Sequence, residues 1–298
     1  MTSSSAAALG TDISPEGLAA FRGRVLSLGR ELYRDLPWRR DFDPYGIWIS
    51  EVMLQQTQVS RVDGRWQRWL QRFPSVDALA AAAPADVLEG WQGMGYNRRA
   101  LSLLKAAQQV SAAGGEMPRE ERALVALPGI GPATAAGIRA FAYDLPATYL
   151  ETNVRSVFLH ELFPDAADVP DSALVPLVEA CCPQDASDSA DDPRTWYYAC
   201  LDYGAHLKRT VGNPSRRSRV HVKQSRFEGS HRQKRAELVR ILLRAGGEGI
   251  AAAEAVRLLS EQEEAAGREP VDAKLVDGIL GELAREGFCA QEDGLWRV

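Results

Sequence analysis

Two stretches of the chain carry residues whose types and spacing could do chemistry. In the apolar run from Tyr45 to Val59, Ile47, Trp48, Ile49, Val52, Met53 and Leu54 surround a single acid, Glu51, followed by Gln55, Gln56 and Thr57. A carboxyl group desolvated in such company keeps its proton to higher pH than it would in water. The second stretch is Leu127-Pro128-Gly129-Ile130-Gly131-Pro132-Ala133-Thr134. Its two glycines allow backbone conformations closed to other residues and leave no Cβ toward an approaching group. Pro132 suits a first helical turn, and the amides and partial positive charge at that helix start suit a phosphate. This is the pattern of a helix-hairpin-helix, which grips a nucleic-acid backbone without reading sequence. An ordinary glycine-containing turn between helices shares the local signature.

The elements that must position these residues read as helices. Ser14-Pro15-Glu16 is a helix start, and Leu18, Phe21, Val25, Leu28 and Leu32 keep helical spacing until Leu36-Pro37-Trp38-Arg39 interrupts. Tyr45 to Val59 is expected to be one buried helix. A helix ending in Trp66, Trp69 and Phe73 precedes helix starts at Pro74-Ser75-Val76-Asp77 and Pro84-Ala85-Asp86. The turn Gly93-Met94-Gly95-Tyr96 follows, bounded by glycine and carrying an aromatic. Helices are expected over Ala100–Ala112, over Ala133–Phe141, from Glu151 onward and over Trp196–Leu207. Strand-like alternation is almost absent through residue 210, so the body reads as all-α.

The expected organisation is a disordered tail over 1–14, a body over 15–212, a Pro/Ser/Arg-rich basic linker over 213–225 and a second domain over 226–298. In that domain Arg232–Leu243, Ile250–Leu259 and Ala273–Arg285 read as amphipathic helices. Two short apolar segments about Glu292-Asp293-Gly294 complete a winged-helix-like pattern.

At 298 residues the net charge is −5, which taken alone argues against a nucleic-acid partner. The charge is uneven: Lys208 to Arg240 holds eleven Lys/Arg against two acids, a local balance of +9. The N-terminus lacks the charged start and apolar core of a signal peptide, and no apolar run is long enough to span a membrane. The four cysteines, Cys181, Cys182, Cys200 and Cys289, have neither paired metal-ligand spacing nor a disulfide framework. A cytoplasmic, nucleoid-associated protein is expected.

Leu36-Pro37-Trp38-Arg39, Ser50-Glu51-Val52-Met53-Leu54-Gln55-Gln56-Thr57, Gly93-Met94-Gly95-Tyr96 and Leu127-Pro128-Gly129-Ile130-Gly131 together resemble the adenine DNA glycosylase (MutY) family of the helix-hairpin-helix superfamily, over roughly residues 20–210. The resemblance implies a two-lobed helix-hairpin-helix DNA glycosylase fold. It implies an enzyme that flips a mispaired adenine out of duplex DNA and hydrolyses its N-glycosidic bond. Carried over residue by residue, Glu51 is the general acid that protonates the departing base. Glu151, in Leu150-Glu151-Thr152-Asn153-Val154, stands where the family has an aspartate that stabilises the cationic sugar. Asn153 keeps its match and orients the water or the carboxylate. Gln56 and Tyr96 match positions that enter the helical stack, and Leu127, Gly129 and Gly131 form the hairpin grip. Ala133 stands where the endonuclease III branch has its Schiff-base lysine, which implies a monofunctional enzyme.

The sequence departs from the family in two further places. The first ligand position of the family's usual four-iron cluster, after Asp202-Tyr203-Gly204-Ala205, is Lys208, and no cysteine follows until Cys289. No iron–sulfur cluster and no other metal is therefore expected. In its place Arg216, Arg217, Arg219 and Lys223 are expected to contact the DNA backbone. The family's typical C-terminal domain, which checks for oxidised guanine, is not recognisable in 226–298. The expected substrate is double-stranded DNA with adenine opposite guanine or 8-oxoguanine, bound by a monomer. Two other readings share the same residues: a glycosylase removing thymine or uracil from mismatches with guanine, and a DNA-binding protein without catalysis.

Overall fold

The structure is a computed structural model that describes residues 13–184, 192–221 and 226–298. The chain forms fifteen helices among the described residues, labelled in chain order. They are α1 (Pro15–Glu31), α2 (Pro44–Leu54), α3 (Val59–Val62), α4 (Arg65–Arg72), α5 (Val76–Ala80), α6 (Pro84–Gly90), α7 (Arg98–Ala112), α8 (Glu121–Val125), α9 (Pro132–Tyr143), α10 (Thr152–Leu162), α11 (Asp171–Cys181), α12 (Pro193–Thr210), α13 (His231–Ala245), α14 (Ala252–Ala265) and α15 (Ala273–Glu286). Three short strands, β1 (Ile250–Ala251), β2 (Ala290–Glu292) and β3 (Leu295–Arg297), make an antiparallel sheet in the order β1-β3-β2.

Two compact units are woven from alternating stretches of chain. One takes the described residues up to Gln56 and those from Met117 up to Lys223; the other takes Thr57–Glu116 and the described residues from Gln224 to Val298. This differs from the sequence-based partition, because 226–298 groups with the helices over 57–116 and the expected 15–212 body is shared between both units.

Helix starts follow their side chains. Ser14 caps α1 by accepting from the Gly17 amide, so it belongs to that helix rather than to a tail. Asp43 caps α2 and Asp192 caps α12 in the same way. The core of the first unit gathers Phe21, Val25, Ile47, Phe141, Val157, Phe158, Trp196 and Tyr197. Where α1 crosses α12, a Cβ on Gly29 would lie 2.3 Å from the Ala199 Cβ, so only glycine permits the approach.

A buried ion pair fastens two of the sequence motifs in this unit. Arg39 donates to both oxygens of Asp202 at 2.7 and 3.0 Å, and its guanidinium lies 4.3 Å from the Tyr198 ring centroid. Arg34 adds its backbone amide and Nε to the same carboxylate.

Three sequence expectations are corrected. The helix expected over Tyr45–Val59 ends at Leu54, because Gln56 takes a left-handed φ of 53°. Ile250 is a strand residue paired with Trp296, not the start of a helix, and the preceding Gly249 has φ +75°. Residues 213–218 are not a free linker. Pro214–Arg217 form a 3-10 turn with Pro214 and Ser215 buried, and Ser218 forms a parallel bridge with Val169. The rest of the predicted tail, 1–12, and residues 222–225 of the linker lie outside the described residues.

Candidate active site

Glu51 stands on α2, with Ser50, Val52 and Met53 buried beside it. Its Oε2 accepts a hydrogen bond of 3.0 Å from the Tyr149 hydroxyl. The carboxyl group also lies against the backbone of α9. A Cβ on Gly137 would meet Glu51 Oε2 at 2.2 Å and Tyr149 Cε2 at 3.0 Å, so the absent side chain is the acid's seat. Burial raises the Glu51 pKa to about 8, and the charge of Glu151 adds to the rise; the Tyr149 hydrogen bond and the charge of Arg39 oppose it. The Tyr149 hydroxyl is itself held well above its ordinary pKa, so it remains a donor.

Glu151 is the N-cap of α10. One oxygen accepts from the amides of Asn153 and Val154, and the other takes the Asn153 Nδ2 at 3.3 Å. A carboxylate here meets both the orphan amides and the positive end of the helix dipole. Burial still pushes its pKa up, opposed by the charge of Lys208 and by these donors. Lys208, from the last turn of α12, donates to Asn153 Oδ1 at 2.8 Å. The crossing of the two helices is close: a Cβ on Gly204 would fall 2.3 Å from the Asn153 carbonyl oxygen. Glu51, Glu151 and Asn153 are thus brought into one site.

The hairpin connects α8 and α9. Gly129 has φ +79°, a conformation that favours glycine, and Ile130 is buried as the anchor of the turn. Leu127 is half-buried, while Gly129, Gly131, Pro132 and Ala133 face solvent. Among the described residues, a Cβ on Gly131 would meet nothing within 4 Å, and no side chain caps α9. The first amides of α9 are therefore approachable from outside. Gln55 ties the hairpin to the end of α2 by donating to Thr134 Oγ1 at 2.9 Å.

Five non-glycine residues have positive φ among the described residues. Three are aspartates, which tolerate it; the other two are Gln56 (53°) and Tyr96 (49°). Strain of this kind is kept where surroundings impose it. In the second unit Tyr96 is 44% exposed, the Arg99 guanidinium lies 5.5 Å from its ring centroid, and Arg232 donates to its hydroxyl at 3.2 Å. Arg99 also donates to the carbonyls of Met94 and Gly95, fixing the turn.

The basic residues expected to contact DNA separate. Arg216 is exposed. Arg217 instead turns inward and donates to the carbonyls of Leu159, Phe163 and Pro164 at the end of α10, where unpaired acceptors attract a cation. Arg219 is paired with Asp168 at 2.9 Å. Lys223 lies outside the described residues.

The chain is similar to known proteins. Residues 49–187, which contain both carboxylates, match the family model described as HhH-GPD superfamily base excision DNA repair protein. A curated adenine DNA glycosylase from Mycolicibacterium smegmatis is 34% identical over 281 residues, covering 88% of this chain and 92% of the relative. The chain belongs to the adenine DNA glycosylase family. The human family member is 40% identical over 150 residues, so the match spans 47% of this chain but only 28% of that protein. The fold is shared with a thermostable thymine-DNA glycosylase at a TM-score of 0.56 and 24% identity, over 65% of this chain and 88% of that one.

The residues present do not fit a four-cysteine iron–sulfur cluster: the first ligand position is Lys208, whose ammonium group is engaged with Asn153, and an ammonium cannot ligate iron. Cys181, Cys182 and Cys200 lie in the apolar core, where burial raises the pKa of Cys181 and Cys200 and disfavours the thiolate. Sequence reasoning missed Tyr149, Gly137 and the partner of Lys208. A small-residue helix and a lone tyrosine before Glu151 are their only sequence signals, and neither names a contact.

Proposed function

We propose that this protein is a monofunctional DNA glycosylase that hydrolyses the N-glycosidic bond of an adenine mispaired with guanine or 8-oxoguanine in duplex DNA, as a monomer and without an iron–sulfur cluster. The observation that carries this reading is Glu51, a carboxylic acid kept protonated to about pH 8 in the same site as a second carboxylate. Adenine leaves poorly as an anion. A proton passed from Glu51 to a ring nitrogen lets it leave neutral. The electrons of the C1′–N bond go with the base, and the sugar is left with oxocarbenium character. Glu151, an anion, meets that charge; water then adds to C1′, gives up a proton to the Glu51 carboxylate and yields an abasic site. Two carboxyl groups set apart by environment are the general logic of glycosidic hydrolysis.

The other residues supply position. The exposed amides at the start of α9 and the glycines of the hairpin suit a DNA phosphate. Gln56 and Tyr96, held in strained backbone, suit entry into the base stack, which offsets the few kcal/mol that flipping costs. Ala133 offers no amine for a Schiff base at that position.

A panel of duplexes with defined mispairs, including 8-oxoguanine opposite each normal base, tests the reading. Adenine release opposite guanine or 8-oxoguanine is expected. Release of thymine or uracil without adenine points to the other glycosylase reading. Binding to mispaired DNA without abasic sites, by both wild type and Glu51→Gln, leaves a DNA-binding protein.

A further inference from the structure

Glu151 must be an anion to meet a developing sugar cation, yet its surroundings disfavour charge. The titratable groups that act on it from neighbouring elements are Glu51 on α2, Tyr149 just before α10, and Cys200 on α12. None brings positive charge. Lys208 does, and the reaction as described gives it no part.

The geometry ties Lys208 to Glu151 through a third residue. Lys208 Nζ donates to Asn153 Oδ1 at 2.8 Å, while the Asn153 Nδ2 and backbone amide donate to Glu151. An amide side chain has one acceptor end and one donor end. With the acceptor occupied by an ammonium group, the donor end can only face the carboxylate. Lys208 is half-buried, and its charge and that of Glu151 act on each other. Arg34, the other cation acting on Lys208, has its Nε on Asp202 at 2.5 Å and is not hydrogen-bonded to Glu151.

We propose that Lys208 is a positioning residue of the glycosylase site, which fixes the Asn153 amide with its donor end on Glu151 and supplies the counter-charge for that carboxylate. The inference rests on the reading of Glu151 as the cation-stabilising group. It gives the position of the missing cluster ligand a task within the reaction.

The test compares Lys208→Met, Lys208→Gln and Lys208→Arg with wild type. Two readouts are used: single-turnover adenine excision from an adenine–8-oxoguanine duplex across pH, and the ¹³C-carboxyl titration of Glu151 in the free protein. An opposite charge lowers a carboxyl pKa by roughly one to three units. Lys208→Met is therefore expected to move the acid limb of the rate profile, and the Glu151 titration, upward by about that amount. On the acid limb the excision rate then falls about tenfold or more and recovers in part as pH rises. Lys208→Gln keeps a donor for Asn153 but no charge, and is expected to show the same shift. Lys208→Arg is expected to return both readouts most of the way to wild type.

A Glu151 titration that does not move in the two uncharged variants overturns the proposal, as does a rate loss equal at every pH. If Lys208→Met does not fold, the Gln and Arg variants make the same comparison. If wild type excises no base from any mispair, the glycosylase reading fails, while the titration still decides whether Lys208 governs Glu151.

Discussion

At the residue scale, the proposed reaction depends on one acid being uncharged. The folded-state pKa of Glu51, about 8, lies above the ordinary value of 4.5, so the native state holds a proton that the unfolded chain releases. Between these values stability falls as pH rises. Glu51→Gln removes this cost and can still accept the Tyr149 hydroxyl. It is expected to abolish excision yet unfold at a higher temperature than wild type at pH 8, with little difference at pH 4; the gain at pH 7 is at most about 3 kcal/mol. Melting curves at both pH values check it, and an unchanged difference between them would count against the raised pKa. Gly137 makes the complementary case. Alanine there favours a helix by up to about 1 kcal/mol, but its Cβ would take the place of the Glu51 carboxyl oxygen. Since a misplacement of about 1 Å can cost a hundredfold in rate, Gly137→Ala is expected to fold normally and excise about a hundredfold more slowly. Glu51 was legible because its apolar neighbours are adjacent in sequence. Its hydrogen-bond partner, 98 residues away, was not.

At the scale of elements, the motifs that looked separate in sequence prove to be halves of joints. Leu36-Pro37-Trp38-Arg39 interrupts a helix in order to deliver Arg39 to Asp202, the first residue of the Asp202-Tyr203-Gly204-Ala205 segment. Both side chains are essentially fully buried. Removing one partner of such a pair strands the other's charge. Asp202→Asn is expected to destabilise the fold by about 3–5 kcal/mol, measured by urea unfolding; a change below about 1 kcal/mol would show that the pair is dispensable. The helices themselves were readable from caps and 3.6-residue spacing. Ile250 was not, since a two-residue strand has no periodicity and its partner β3 lies at the far end of the module. Arg217 escaped for another reason: nothing in Pro214-Ser215-Arg216-Arg217 distinguishes the arginine that caps α10 from the exposed one beside it.

Over the whole molecule, net charge and local charge density both mislead as guides to DNA binding. The structure gives internal partners to seven of the eleven cations between Lys208 and Arg240: Lys208, Arg217, Arg219, Arg232, Lys234, Arg235 and Arg240. Arg209, Arg216 and Arg226 stand exposed, as does the Arg219–Asp168 pair, and Lys223 lies outside the described residues. Each phosphate neutralised adds about 0.9 to the slope of log affinity against log salt. Were the whole +9 available, this segment alone would contribute a slope near −8; Arg209, Arg216 and Arg226 by themselves allow roughly a third of that. Replacing Arg209, Arg216 and Arg226 with alanine is therefore expected to flatten the slope by about 3 at most, with equal weakening on matched and mispaired duplexes. Arg217→Ala should behave oppositely, lowering stability by about 1–3 kcal/mol through stranded carbonyls while leaving the slope unchanged. Fluorescence-anisotropy titrations between 50 and 200 mM salt, roughly the range over which such slopes are resolved, read both effects. A flattening by Arg217→Ala equal to that by Arg216→Ala would return both arginines to the DNA.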